Sequence, residues 1–207
     1  FIIDYRMLNP EYSFEKTDLF STPIWTSEFT EIDNNKIKDF LYRMQEDDQN
    51  NISDEERRKW EYVWESGYCQ LDSYKDIFLA FYPAIFHLTT NPRIIKIDDF
   101  TPKFYIHKKG SSSKLMNWVD RANDLVLMYF VQVPKDLPPT LLLKDPRPLI
   151  HGNYFAKKAI QKSEDNVGFE PSDGTCVVIP AYMEYYIDTN YSDEDLILFT
   201  TPLQLSW

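Results

Sequence analysis

Residues 103–147, KFYIHKKGSSSKLMNWVDRANDLVLMYFVQVPKDLPPTLLLKDPR, constrain the fold more than any other stretch. They read as a strand over 103–107, a Gly/Ser turn, an irregular loop, a strong strand over 125–133, a Pro-rich turn and a short strand over 140–144. Hairpins strung together in this way belong to a β-sandwich or a jelly roll. Further extended segments are predicted at 93–97, 153–160, 175–180, 184–188 and 196–201. The run Glu170-Pro171-Ser172-Asp173-Gly174 is a turn by composition.

The first half has a different rhythm. Ile37, Phe40, Leu41 and Met44 recur at helical spacing, which predicts an amphipathic helix over 33–47, followed by a polar loop over 46–51. Ser53-Asp54-Glu55-Glu56 is a capping box, and it predicts a helix running to about Trp64. A third helical stretch starts at Asp72 and buries Ile77, Phe78, Phe81, Tyr82 and Ile85. Before these helices, Pro23 rules out a helix interior, and Ile24-Trp25-Thr26 reads as a short edge strand. Helices followed by strands in hairpin order give an α+β class: a β-sandwich with N-terminal helices packed on one face. A chain of 207 residues suits a single domain, divided into an arm over 1–18, a mainly helical part over 19–92 and a jelly-roll core over 93–207.

Charge narrows the partners. A formal net charge of -11 repels phosphate backbones, so nucleic acid is excluded as the expected partner and basic protein surfaces are favoured. No apolar run reaches the roughly 18 residues of a membrane-spanning helix. The opening FIIDYRML lacks a basic segment followed by a long apolar one, so an intracellular or assembly-bound location is expected, without a signal peptide. Cys69 and Cys176 lie far apart and read as two buried thiols.

Several short segments, taken in order, resemble one family. These are Leu19-Phe20-Ser21-Thr22-Pro23-Ile24, Ser66-Gly67-Tyr68-Cys69-Gln70, Ile106-His107-Lys108-Lys109-Gly110, Tyr129-Phe130-Val131-Gln132-Val133-Pro134, Leu143-Lys144-Asp145-Pro146-Arg147, and 170–174 running on to Ile179-Pro180. The layout resembles the 2-oxoglutarate/Fe(II) oxygenases of the double-stranded β-helix (jelly-roll, cupin-like) fold, in a subfamily frequent in marine bacteria and tailed phages. The resemblance implies that fold, with an active site in the loop over 111–124.

Such enzymes hold iron with two His and one carboxylate and leave positions open for the cosubstrate and O2. The chain has three histidines, His87, His107 and His151, and none is followed two residues later by His, Asp or Glu. Aligned on the family pattern, the first ligand pair falls near Trp118 and Asp120, the distal His near Tyr185, and the basic clamp for the cosubstrate carboxylate near Asp195. An indole cannot coordinate iron, and an Asp repels the carboxylate that an Arg would grip. The resemblance therefore implies a degenerate, non-catalytic member: no catalytic residue, no metal and no cofactor.

The other candidates read as ordinary structure. Asp47-Asp48, Asp98-Asp99 and 193–195 are solvated loop acids, Lys108-Lys109 and Lys157-Lys158 are short basic pairs, and Ser111-Ser112-Ser113 is a turn without the pattern of a phosphate loop. The leading expectation is a binding or structural subunit, taken by analogy with the phage members to be a virion component of neck, tail, baseplate or decoration type. It predicts that 1–12 and 111–124 pack against another chain in a homo- or hetero-oligomer. The alternatives are an oxygenase with an unusual ligand set of Asp120, Glu184 and His107, and a host-directed inhibitor that binds one protein.

Overall fold

The computed structural model describes residues 15–19, 22–51, 63–66, 94–95, 102–113, 124–144, 166–203 and 205–206. In chain order these form β1 Glu15–Leu19, β2 Thr22–Glu28, α1 Asn34–Asn51, β3 Val63–Glu65, β4 Ile94–Ile95, β5 Lys103–His107 and β6 Leu125–Gln132. Then come β7 Leu141–Lys144, β8 Asn166–Phe169, β9 Thr175–Pro180, β10 Tyr185–Ile187, β11 Leu196–Leu203 and β12 Leu205–Ser206. The large sheet has the order β1-β2-β9-β6-β11-β5-β3, and a small sheet has the order β10-β7-β8. Every pairing in both is antiparallel. The order is non-sequential, with β9 between β2 and β6 and with β11 between β6 and β5, as in a jelly roll rather than a simple meander.

The large sheet is buried on both faces. On one face Phe104, Ile106, Leu127, Tyr129, Val178 and Phe199 pack with Ile37 and Leu41 of α1 and with Trp64. On the other, Tyr105, Val126, Met128, Phe130, Leu196 and Leu198 meet Leu141, Leu143, Tyr185 and Ile187 of the small sheet. This double burial explains why β6, β9 and β11 are apolar runs rather than alternating ones: each successive side chain enters one core or the other.

Asp33 caps α1, its carboxylate accepting the Lys36 N–H at 3.2 Å. The helix reaches Asn51, through the residues expected to form a polar loop. Its last turns have work on the protein side: Gln45 is buried, and Asp48 accepts the Trp64 indole N–H at 3.2 Å. Val63 and Trp64, expected to end a helix, instead form β3 against β5. A β-branched residue and an aromatic suit an exposed sheet edge, and the edge supplies pairing that a local capping pattern does not register. The Ser66 hydroxyl extends the contact by accepting the Phe104 N–H at 3.0 Å.

β2 is not an edge strand. It lies between β1 and β9, with Pro23 near its start opposite Asp18. Residues 52–62 and 67–93, over which the rest of the second helix and the third are expected, lie outside the described residues, as do those of 1–12 and 153–160. α1 is therefore the one helix among the described residues seen to cover the sheet. No helix among them is long and apolar enough to cross a membrane.

Candidate functional site: the interior between the sheets

Two ends of the sandwich bracket its interior. At one end Gly110 donates to the Asn190 carbonyl at 2.7 Å and Asn190 donates to the Ser111 carbonyl at 2.8 Å. The Asn190 amide also donates to the carbonyls of His107 at 3.1 Å and Glu194 at 2.8 Å. Ser113 then pairs with Ile187, its hydroxyl accepting the Ile187 N–H at 2.6 Å. At the other end Ala181 donates to the Asp124 carbonyl, and Asp124 to the Leu203 carbonyl, each at 3.0 Å. Residues 111–113 stand at the first end and Asp124 at the second; residues 114–123, with Trp118 and Asp120, lie outside the described residues.

Tyr185 opens β10 opposite Leu143 and is fully buried in the interior core. Asp195 does not face that interior. Its carboxylate accepts the Tyr42 hydroxyl of α1 at 2.9 Å, and its carbonyl accepts the Gln132 side-chain amide at 2.7 Å. Alternation along β11 puts Leu196 and Leu198 inward instead, so a count from sequence that lands one residue away also lands on the opposite face.

Glu184 is half-buried and paired with Lys144 of β7. His107 ends β5 beside the Asn190 turn, whereas Glu184 precedes β10 toward the Asp124 end. The set Asp120, Glu184 and His107 is therefore not brought together by the described residues: Glu184 is engaged elsewhere, and Asp120 lies outside them.

His107 is buried against Tyr105, with ring centroids 6.1 Å apart and planes 28° apart. Among the described residues neither ring nitrogen has a hydrogen-bond partner. Burial pushes its pKa down to about 4, so the ring is neutral at pH 7. Cys176 is a free, fully buried thiol whose pKa burial raises; it is inert at neutral pH.

An iron site of the family's type needs two imidazoles and a carboxylate converging. Among the described residues no three His, Cys, Asp or Glu gather in that way. Residues 114–123, where the resemblance places the first ligand pair, lie outside the described residues. Sequence reasoning missed Asn190, which is fully buried and ties three segments together. Its signal was readable: Asn-x-Ser, with the Asn190 side-chain oxygen accepting the Ser192 N–H at 3.0 Å, is an Asx turn.

No family model and no curated protein matches the chain. Solved structures do. A Pseudomonas putida prolyl-4-hydroxylase superposes with a TM-score of 0.57 at 9% identity, over 90% of this chain and 95% of that one. HygX from Streptomyces hygroscopicus, with nickel, 2-oxoglutarate and hygromycin B bound, gives 0.56 at 9% identity, over 90% and 84%. The non-heme alpha-ketoglutarate-dependent epimerase SnoN from nogalamycin biosynthesis gives 0.54 at 12% identity, over 87% and 76%. At these identities the likeness establishes the fold: a mostly antiparallel jelly roll of the kind that 2-oxoglutarate/Fe(II) oxygenases use.

Proposed function

We propose that the chain is a non-catalytic, 2-oxoglutarate-oxygenase-like jelly roll that works by binding, as a structural subunit of an assembly. The observation that carries this reading is the apolar interior. Met128, Phe130, Leu196 and Leu198 from the large sheet meet Tyr185 and Leu143 from the small one. The motif resemblance to a subfamily frequent in tailed phages supports a virion role of neck, tail, baseplate or decoration type. Anaerobic calorimetry with Fe(II), and CO2 release from 2-oxoglutarate with iron and ascorbate, test it. No stoichiometric heat and no CO2 above the blank are expected; either signal overturns the reading.

The fold likeness to metal-dependent oxygenases favours a second reading, an oxygenase with an atypical ligand set that includes Asp120. Under it, Asp120→Ala abolishes CO2 release that the unsubstituted chain shows.

A further inference from the structure

We propose that the Asn190 end of the sandwich is a docking surface for a protein partner that presents basic side chains around an apolar pocket. The proposal deepens the reading of the chain as a binding subunit and rests on it. Two exposed hydrophobic side chains stand there together: Leu137 is 54% exposed and Tyr191 62%. Each is next in sequence to one partner of a bonded pair, the Ser192 hydroxyl donating to the Asp136 carboxylate at 2.7 Å. Tyr42, 39% exposed, flanks them through its bond to Asp195.

The surface is held in shape before any partner arrives. Pro138 and Pro139 stiffen the chain after Leu137, and buried Asn190 bonds the loop after β10 to the turn after β5. Glu194 is fixed three times: its N–H donates to the Ser192 hydroxyl at 3.0 Å, its carboxylate accepts the Lys135 N–H at 3.3 Å, and its carbonyl accepts the Asn190 amide at 2.8 Å. Exposed aromatic and aliphatic anchors on rigid loops lose little entropy on binding, which is how interface anchors are built.

Charge selects the occupant. Residues 133–140 and 188–195 carry Asp136, Asp188, Asp193, Glu194 and Asp195 against Lys135 alone. The adjoining turn adds Lys108 and Lys109, with Lys109 paired with Asp193 at 2.8 Å, and α1 adds Lys38, which donates to the Gln132 side chain at 3.0 Å. Bonds from Ser192 and the backbone hold the Asp136 carboxyl below its ordinary pKa, so it stays charged. An acidic rim on a chain of net charge -11 repels a second copy of itself, as it does phosphate backbones, and steers in a basic protein.

The test uses the full chain, labelled with 15N, and two synthetic peptides with the same Leu and Trp residues. One peptide carries Lys and Arg between them, the other Glu. The basic peptide is expected to shift the amides of Lys135, Asp136, Leu137 and Thr140 and those of 188–195. Its Kd should rise at least tenfold for the Leu137→Ser/Tyr191→Ser double variant, whose melting temperature stays unchanged because both side chains are exposed. Shifts elsewhere, equal affinity for the double variant, equal binding of the acidic peptide, or no binding each overturn the proposal. Absent peptide binding without CO2 release removes only this surface, whereas CO2 release removes the non-catalytic reading beneath it.

Discussion

Gly174 shows how one residue joins several elements. Its φ is +85°, its N–H donates to the Phe130 carbonyl at 2.8 Å, and its carbonyl accepts the Phe29 N–H at 2.9 Å. A Cβ there would sit 2.6 Å from the Phe29 oxygen. Gly174→Ala is expected to cost about 3 kcal/mol, combining left-handed strain with overpacking, read as a lower urea midpoint. Gly110 has φ +82° but open space around it, so Gly110→Ala should cost only about 1 kcal/mol, the strain alone. His107 supplies a pH dependence. Its pKa is about 4 when folded and near 6.5 when unfolded, so the unfolded chain binds the extra proton as pH falls below 6.5. Stability is thus fully present above pH 6.5 and is lost progressively down to pH 4. Between pH 7 and pH 5 the loss should be about 2 kcal/mol. His107→Phe, which removes two nitrogens that have no partner among the described residues, should raise stability and flatten that acid slope in urea titrations.

At the scale of elements, α1 is the part whose sequence periodicity and tertiary role agree best. Leu41 is fully buried between the helix and the large sheet, so Leu41→Ala should cost about 3 kcal/mol. Asp33→Ala removes only the cap and should cost about 1 kcal/mol. Thermal melts of the two variants separate docking from capping: if the cap variant proves the more damaging, packing is not what holds the helix to the sheet. β3 differs in kind. It is a three-residue strand that exists because β5 offers it an edge and α1 offers Asp48 to its indole.

For the whole molecule, the interior packing carries a thermodynamic consequence. A ligand that binds only the folded chain raises stability by about 2.7 kcal/mol at a hundredfold excess over its Kd. On the proposed non-catalytic reading, adding Fe(II) and 2-oxoglutarate together should leave the melting temperature unchanged. A rise of several degrees, seen by calorimetry, would show an occupied interior.

Sequence alone determined what depends on neighbours along the chain. The turn at 170–174, the strands at 103–107 and 175–180 and the core of α1 follow from local periodicity and turn chemistry. Ordered short segments also pointed to the jelly roll, and the absence of His-x-Asp was visible in three histidines. Tertiary structure decided what depends on partners distant in sequence. It drew Val63 and Trp64 into a strand, placed β2 inside the sheet rather than at its edge, and turned Asp195 to the helix while Leu196 and Leu198 filled the interior. The physical reason is the two-residue alternation of strands: pairing register fixes which face a side chain takes, and register is set by strands far away in the chain.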